Sequence, residues 1–309
     1  MSGGRRRRGT PIHGWLPIFK EPGMSSFQVV KAVRHITGAA KAGHGGTLDP
    51  FAEGVLPIAL GHATKVISLI LEGDKSYRCQ VQFGRETDTG DLEGATVAQS
   101  DQHPEREQIE AALPSFTGEI DQIPPIYSAI HVNGQRAYEL ARKGVKVALE
   151  PRKVTIYALS LDQYGQGVAQ LTVRCSKGTY IRSLARDLGQ YLGCGAHLSA
   201  LVRIQTLGFG EQDAFPLDRL REAVQETRLH TLLKPIDAML DDIPVLHLDS
   251  KAWHKLRHGQ IIDLTETTAS AGPVRFYDPD GRFVGLGEVK NRTEAEGVIQ
   301  CHPRRIMES

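Results

Sequence analysis

Two stretches of the chain alternate strictly between apolar and polar positions. Lys75 to Gly84 places Tyr77, Cys79, Val81 and Phe83 on one face and Arg78, Gln80 and Gln82 on the other, and Gln170 to Cys175 repeats the pattern with Leu171, Val173 and Cys175. Successive side chains of an extended chain point to opposite faces, so both read as half-buried strands. Leu198 to Gly208, including Leu201, reads as a further strand. Helical spacing lies between and around them. After a turn at 20–26, a serine is available as N-cap, Phe27, Val30 and Val33 share one face, and Gly38 stops the helix. A second helix, from about Ala63 to Leu71, turns Val66, Ile67 and Ile70 inward. A third, from about Pro104 to Leu113, has proline in its first turn and Ile109, Ala112 and Leu113 on one side. The helix after Gly178, with Thr179 as its cap, carries an apolar stripe of Ile181, Leu184, Ala185, Leu188, Tyr191 and Leu192. A helix led by Pro216 closes this region.

Near Ile243 and Pro244 the pattern changes. A short strand, a small helix capped by Ser250 and ended by Gly259, and a hairpin turning at Asp278-Pro279-Asp280-Gly281 predict a compact β-rich module. No internal repeat interrupts this layout. The length of 309 residues favours two domains, each long enough to bury a core. A net charge of +1 gives no global field that would name a partner. Local charge says more: Arg5 to Arg8 form a basic arm in a Gly-rich tail, suited to polyanions or simply solvated. Trp15 to Phe19 is too short for a signal-peptide core and no apolar run approaches a bilayer span, so a cytoplasmic protein without membrane contact is expected. Cys79, Cys175, Cys194 and Cys301 form no Cys-x-x-Cys pair, which argues against a zinc knuckle or disulfide framework.

Candidate chemistry concentrates in Gly43-His44-Gly45-Gly46-Thr47-Leu48-Asp49-Pro50. The glycines permit unusual backbone and close approach of a ligand, and Pro50 biases Asp49 towards an extended conformation. A lone carboxylate is thereby held out of a nearly bare loop, although Asp-Pro in a turn also fits simple turn closure. Arg182 falls in the first turn of its helix, where a cation is disfavoured by ~0.3–1 kcal/mol relative to an acid, so its position asks for a specific anion. Lys65, near the start of another helix, poses the same question more weakly. The loop from Gly84 to Gly94 holds Asp88 and Asp91 but lacks the ligand spacing of a calcium-binding EF-hand. Between Gln135 and Lys153, Arg136, Arg142, Lys143, Lys146, Arg152 and Lys153 outnumber Glu139 and Glu150, which suits phosphate contacts or a solvated face.

The block from His44 to Pro50, followed by Glu53-Gly54-Val55-Leu56-Pro57 and Gly61-His62-Ala63-Thr64-Lys65, resembles the TruB family of tRNA pseudouridine synthases. Further matching blocks follow in order at Asp74 to Tyr77, Gly84 to Gly94, Ile123 to Ala129 and Cys175 to Arg182. The resemblance implies an α+β fold: a mixed, largely antiparallel central sheet flanked by helices, with a small β-rich PUA-like RNA-binding domain at the C-terminus. It also implies an organisation of a basic tail at 1–12, a catalytic domain at 13–242 with an RNA-gripping insertion at about 123–157, and the PUA-like domain at 243–309. The implied activity is isomerisation of uridine to pseudouridine at position 55 in the T-loop of tRNA, with no metal or organic cofactor and no obligate protein partner. In that resemblance Asp49 is the nucleophile, Arg182 its charge partner, Asp91 a further member of the ion network, and Tyr77 a platform for the target base. His44 and Tyr180, with Leu201, would line the RNA pocket, and Lys65 would face an anion. Gly45 departs from the threonine or serine that often follows the histidine, which removes one hydroxyl contact within the loop.

Read from the residues alone, the chemistry points to a single carboxylate, because Glu53, the nearest other acid, has no motif reason to face the same point. A ribonucleoside N-glycosidase would share a carboxylate but usually needs a second one to place water. A non-catalytic RNA-binding protein would need the basic surfaces and be indifferent to Asp49.

Overall fold

The protein was examined as a computed structural model, which describes residues 9–71, 73–128, 130–132, 134–136, 149–264, 271–291 and 299–307. Its backbone is a mixed sheet whose strands run in the order Gly14–Lys20, Glu53–Leu60, Ala196–Thr206, Lys75–Phe83, Val168–Cys175, Arg152–Gly165 and Gly118–Gln122. Neighbours pair antiparallel except Glu53–Leu60 against Ala196–Thr206, which are parallel at Glu53 and Gly54. The alternating strands behave as their pattern requires: Tyr77, Cys79, Val81, Phe83, Leu171, Val173 and Cys175 are all buried. They pack with Ile181, Leu184, Ala185 and Leu188 of the Ile181–Tyr191 helix into one core. A second core gathers Leu16, Ile18, Leu56, Ile58 and Leu60 against Val29, Val30 and Val33 of the Ser26–Thr37 helix and Leu220 of the Leu217–Gln225 helix.

A five-stranded sheet forms the C-terminal unit, in the order Val245–His247, Gly272–Tyr277, Phe283–Asn291, Ile299–Ile306 and Ile262–Leu264. Leu286 and Met307 of this unit join Trp15, Val55, Ala59 and Leu240 in a buried apolar cluster that seats it on the main sheet. The fold is thus α+β with a central mixed sheet, flanking helices and a β-rich C-terminal unit.

Several elements differ from the sequence reading for identifiable reasons. Ser25 caps the first helix in a capping box with Gln28, and Gly38 ends it in left-handed conformation (φ 67°). Its inward face is Ser26, Val29, Val30 and Val33 at helical spacing, however, which leaves Phe27 exposed and covered by Lys31. The expected 63–71 helix divides into a 3-10 turn, Gly61–Lys65, and a short helix, Ile67–Ile70. Thr179 does not cap its helix. Tyr180 is the N-cap, the Gln122 side chain receives its backbone N–H at 2.8 Å, and Thr179 donates instead to Ser176 O. Tyr191, counted in the apolar stripe, is exposed and meets Phe116 edge to face. Asp249, not Ser250, caps the Ser250–Arg257 helix by accepting from Ala252 N at 2.7 Å. The 84–94 loop opens with a short strand, Arg85–Thr87, paired with Thr96–Gln99. In the basic 135–153 region, Arg142, Lys143 and Lys146 lie outside the described residues, and Lys153 pairs with Glu119 between adjacent strands.

Candidate active site

The 45–52 loop leaves the short Ala42–His44 strand and returns into Glu53–Leu60, packing against the buried Tyr77 and Leu201. Glycine is required within the loop and just beyond it. Gly46 has φ 107°, and Gly54, at φ 111°, lies so close to the neighbouring strand that an added Cβ would sit 2.3 Å from Arg203 O. Leu48, Phe51 and Ala52 of the loop are buried in the same core as Tyr77, Cys79 and Leu201. The Ser26 hydroxyl pins Leu48 from the first helix, donating to its carbonyl at 2.9 Å and accepting from its N–H at 2.8 Å. With the flanking residues anchored, Asp49 is left with its side chain 32% exposed.

Arg182, itself only 5% exposed, reaches Asp49 from the Ile181–Tyr191 helix. Its Nε lies 3.0 Å from Asp49 Oδ2, outside hydrogen-bond alignment, and its Nη2 donates to Oδ1 at 3.4 Å. This is a side-on, two-point approach. The guanidinium is fixed by further acceptors: Thr89 O and Tyr127 O at 2.9 Å each, and Asp91 Oδ2 at 3.5 Å. Asp91 is buried and held by Thr89 Oγ1 at 2.6 Å and Glu93 N at 3.1 Å. Two carboxylates therefore share one guanidinium. Burial raises the Asp49 pKa above the ordinary carboxylate value, Arg182 opposes that rise, and the Asp91 charge adds to it. Arg182 thus favours the ionised acid and orients it, while burial pushes the net proton affinity up.

Tyr77 stands beside this pair at 7% exposure. Burial raises its phenol pKa, and the nearby Arg203 guanidinium pulls it back. His44 is half-buried, its pKa lowered by burial and by the Arg203 charge, and its Nδ1 is buried with no hydrogen-bond partner among the described residues. Tyr180 is half-buried, with its phenol pKa raised by burial. Around the Asp49 loop the structure thus gathers an oriented acid, a fixed guanidinium, two largely buried tyrosines and an imidazole whose pKa burial lowers.

The profile for the TruB family pseudouridylate synthase N-terminal domain matches residues 34–181. Two C-terminal profiles follow, for the tRNA pseudouridylate synthase B C-terminal domain at 182–241 and for the C-terminal part of pseudouridine synthase II TruB at 244–307. The curated "tRNA pseudouridine synthase B" of Caulobacter vibrioides is 46% identical over 261 residues, 84% of each chain. The chain belongs to the TruB family. A second TruB relative, from Chromohalobacter salexigens and also named tRNA pseudouridine synthase B, is 44% identical over 306 residues, covering 98% of this chain and 97% of its own. Membership makes the chain an enzyme of the pseudouridine synthase class, an isomerase. Among solved structures, a chain of an H/ACA ribonucleoprotein bound to a substrate RNA containing 2′-deoxyuridine superposes with a TM-score of 0.72. It is 22% identical, with 96% of this chain and 86% of that one covered, which speaks for the fold alone.

Of the residues singled out from sequence, Asp49, Arg182 and Asp91 form one contiguous ion network. Tyr77 and Leu201 share the core beneath the Asp49 loop. Lys65 does not join them. Its ammonium donates to Ile306 O at 2.9 Å, where the main sheet meets the C-terminal unit, and with His62 and Arg257 it lines a cleft of about 430 Å³. The departure from the TruB pattern at Gly45 has a local counterpart, because a Cβ there would lie 2.7 Å from Leu207 Cδ1, in space that Leu207 fills.

Two buried cations at the Asp49 loop escaped sequence reasoning. Lys20, 1% exposed, donates to Glu21 O and Pro50 O at 3.0 Å and to Ala52 O at 2.5 Å, and burial lowers its pKa to about 8. Arg203 is fully buried and donates to loop carbonyls. A signal for Arg203 was present: it shares the face of its strand with Leu201, a position where alternation calls for an apolar residue.

Proposed function

We propose that this protein isomerises uridine to pseudouridine at position 55 in the T-loop of tRNA, with Asp49 as nucleophile acting on a base extruded from the loop. The observation that carries the reading is the partly exposed Asp49 carboxylate, gripped side-on by a buried arginine and bordered by Tyr77. The substrate class rests on the name shared by relatives that match 84% and 98% of the chain.

Isomerisation breaks the bond from ribose to ring nitrogen, retains and turns the base, and forms a bond from the same ribose carbon to a ring carbon. The proton lost by that carbon is balanced by one gained at the nitrogen, so nothing is consumed. A carboxylate supports such cleavage by attacking sugar or base, or by stabilising charge as the bond opens. Arg182 holds Asp49 in one orientation through these steps. Tyr77 supplies a face against which the base stacks, with its hydroxyl beside the carbon that loses its proton. The orphan Nδ1 of His44 gains a partner when a nucleotide enters. Extruding a stacked base costs a few kcal/mol, which phosphate contacts offset. The cationic cleft of His62, Lys65 and Arg257 and the basic 123–157 region are the surfaces suited to those contacts.

The test is to incubate the protein with an unmodified tRNA transcript and map pseudouridine by position. Conversion confined to the T-loop uridine is expected. Conversion elsewhere would refute the site, and release of free uracil without isomerised nucleoside would refute the reaction in favour of a glycosidase.

A further inference from the structure

Arg203 is an unusual occupant of a sheet interior. It is 0% exposed, and its Nε donates to Val55 O at 2.9 Å, Nη1 to Thr47 O at 3.2 Å and Nη2 to Gly46 O at 3.2 Å. Among the described residues it forms no ion pair; its acceptors are backbone carbonyls. A buried cation without a carboxylate partner costs stability that an apolar side chain in the same strand would not. What the guanidinium does in return is visible in its contacts. Gly46 and Thr47 belong to the loop that presents Asp49, and Val55 lies in the strand into which that loop returns. Directly across the sheet, in register, stands Tyr77, buried beside the same guanidinium, whose charge pulls the phenol pKa down against burial. Cross-strand partners on one face lie within reach of each other's side chains. One rigid plane therefore joins the acid's loop to the aromatic residue that faces the base.

We propose that Arg203 is a positioning residue for the isomerisation, fixing the Tyr77 hydroxyl and the Asp49 loop relative to each other so that both address a single base. The assignment rests on the reaction proposed above. Lysine at this position places one ammonium where the guanidinium spreads its donors over three separate carbonyls beside the Tyr77 ring, so it cannot hold loop and tyrosine in the same relation. Displacements on the order of 1 Å at a reacting group cost ~100-fold in rate.

The experiment measures single-turnover isomerisation of an unmodified tRNA transcript by wild type, Arg203→Lys and Arg203→Gln, each also in a Tyr77→Phe background. Thermal unfolding and tRNA Kd are measured on the same proteins. Both Arg203 variants are expected to bind tRNA within ~3-fold of wild type yet turn over ~100-fold more slowly. In the Tyr77→Phe background, the further loss from either Arg203 substitution should shrink to under ~10-fold, because coupled residues are not additive. Near-wild-type turnover would overturn the proposal. So would an equal penalty with and without the Tyr77 hydroxyl, or a rate loss explained entirely by weaker tRNA binding. If both variants fail to fold, Arg203 belongs to the fold alone and the proposal is likewise overturned. Wild type in the same assay separates the two claims: if it makes no pseudouridine the proposed reaction falls, whereas an active wild type with active Arg203 variants overturns this assignment alone.

Discussion

Replacing Arg182 by lysine tests the geometry of the ion network most sharply, since the substitution keeps the charge and removes the fork. The guanidinium serves Asp49 Oδ1 and Oδ2, Asp91, Thr89 O and Tyr127 O from one fixed plane. An ammonium has three donors around one point and cannot span both carboxylates and both carbonyls. Hydrogen bonds to charged groups contribute about 1.5–3 kcal/mol each. Loss of one that orients Asp49 in the transition state, at about 1.4 kcal/mol per tenfold, slows the reaction by ~10- to 150-fold. The released Asp49 side chain also gains freedom to turn away, which carries the expectation to the upper end of that range. The assay is single-turnover conversion of an unmodified transcript with enzyme in excess, after circular dichroism has shown the variant folded. A folded Arg182→Lys protein within ~3-fold of wild type would refute the claim that two-point contact orients the acid.

Other expectations follow from the same contacts. Asp49 must be ionised to act, and its pKa is raised, so the acid limb of the pH–rate profile should lie above the ordinary value of 3.8. Asp91→Asn removes one of the charges that raises it and should move the limb to lower pH; a limb that stays put or rises would contradict the shared-guanidinium account. Lys20 holds its proton with a pKa of about 8 while donating to the carbonyls of Pro50 and Ala52, so the rate should fall above that pH as the loop loses its tether. Lys20→Arg should carry this fall to higher pH, and an unchanged alkaline limb would show that Lys20 is not its source. Lys65→Ala should weaken tRNA binding and reduce the salt slope by about 1, with little change in the saturated rate. An unaltered salt dependence would remove Lys65 from the RNA surface.

Much of this architecture could be read from the chain, and the gaps have physical reasons. The strands at Lys75–Phe83 and Val168–Cys175 were legible because one face is buried and the other polar, which stamps period two on the sequence. Glu53–Leu60 was not legible as a strand, because Val55 through Leu60 are buried on both faces and show no alternation. Phe27 misled because apolarity marks a helix without marking which way each apolar side chain turns. In the site, Asp49 stood out in its bare glycine loop and Arg182 as a cation in the first turn of its helix, whereas Asp91 entered only through the resemblance to the TruB family. Lys20 and Arg203 did not, because they act through backbone carbonyls, and a carbonyl acceptor leaves no residue type behind in the sequence. Lys65 is close in sequence to the loop yet serves another surface, which the 3-10 turn at Gly61–Lys65 directs towards the C-terminal unit.

The decisive measurement is the comparison of wild type with Asp49→Asn, an isosteric change that keeps the loop anchored by Ser26, Lys20 and Arg203. Both proteins would be assayed for tRNA affinity by filter binding and for pseudouridine by position in an unmodified transcript. The account predicts wild-type affinity within ~3-fold together with no pseudouridine at any time point, since an amide cannot act as the carboxylate nucleophile. Pseudouridine formed by a folded Asp49→Asn protein at a rate comparable to wild type would contradict it.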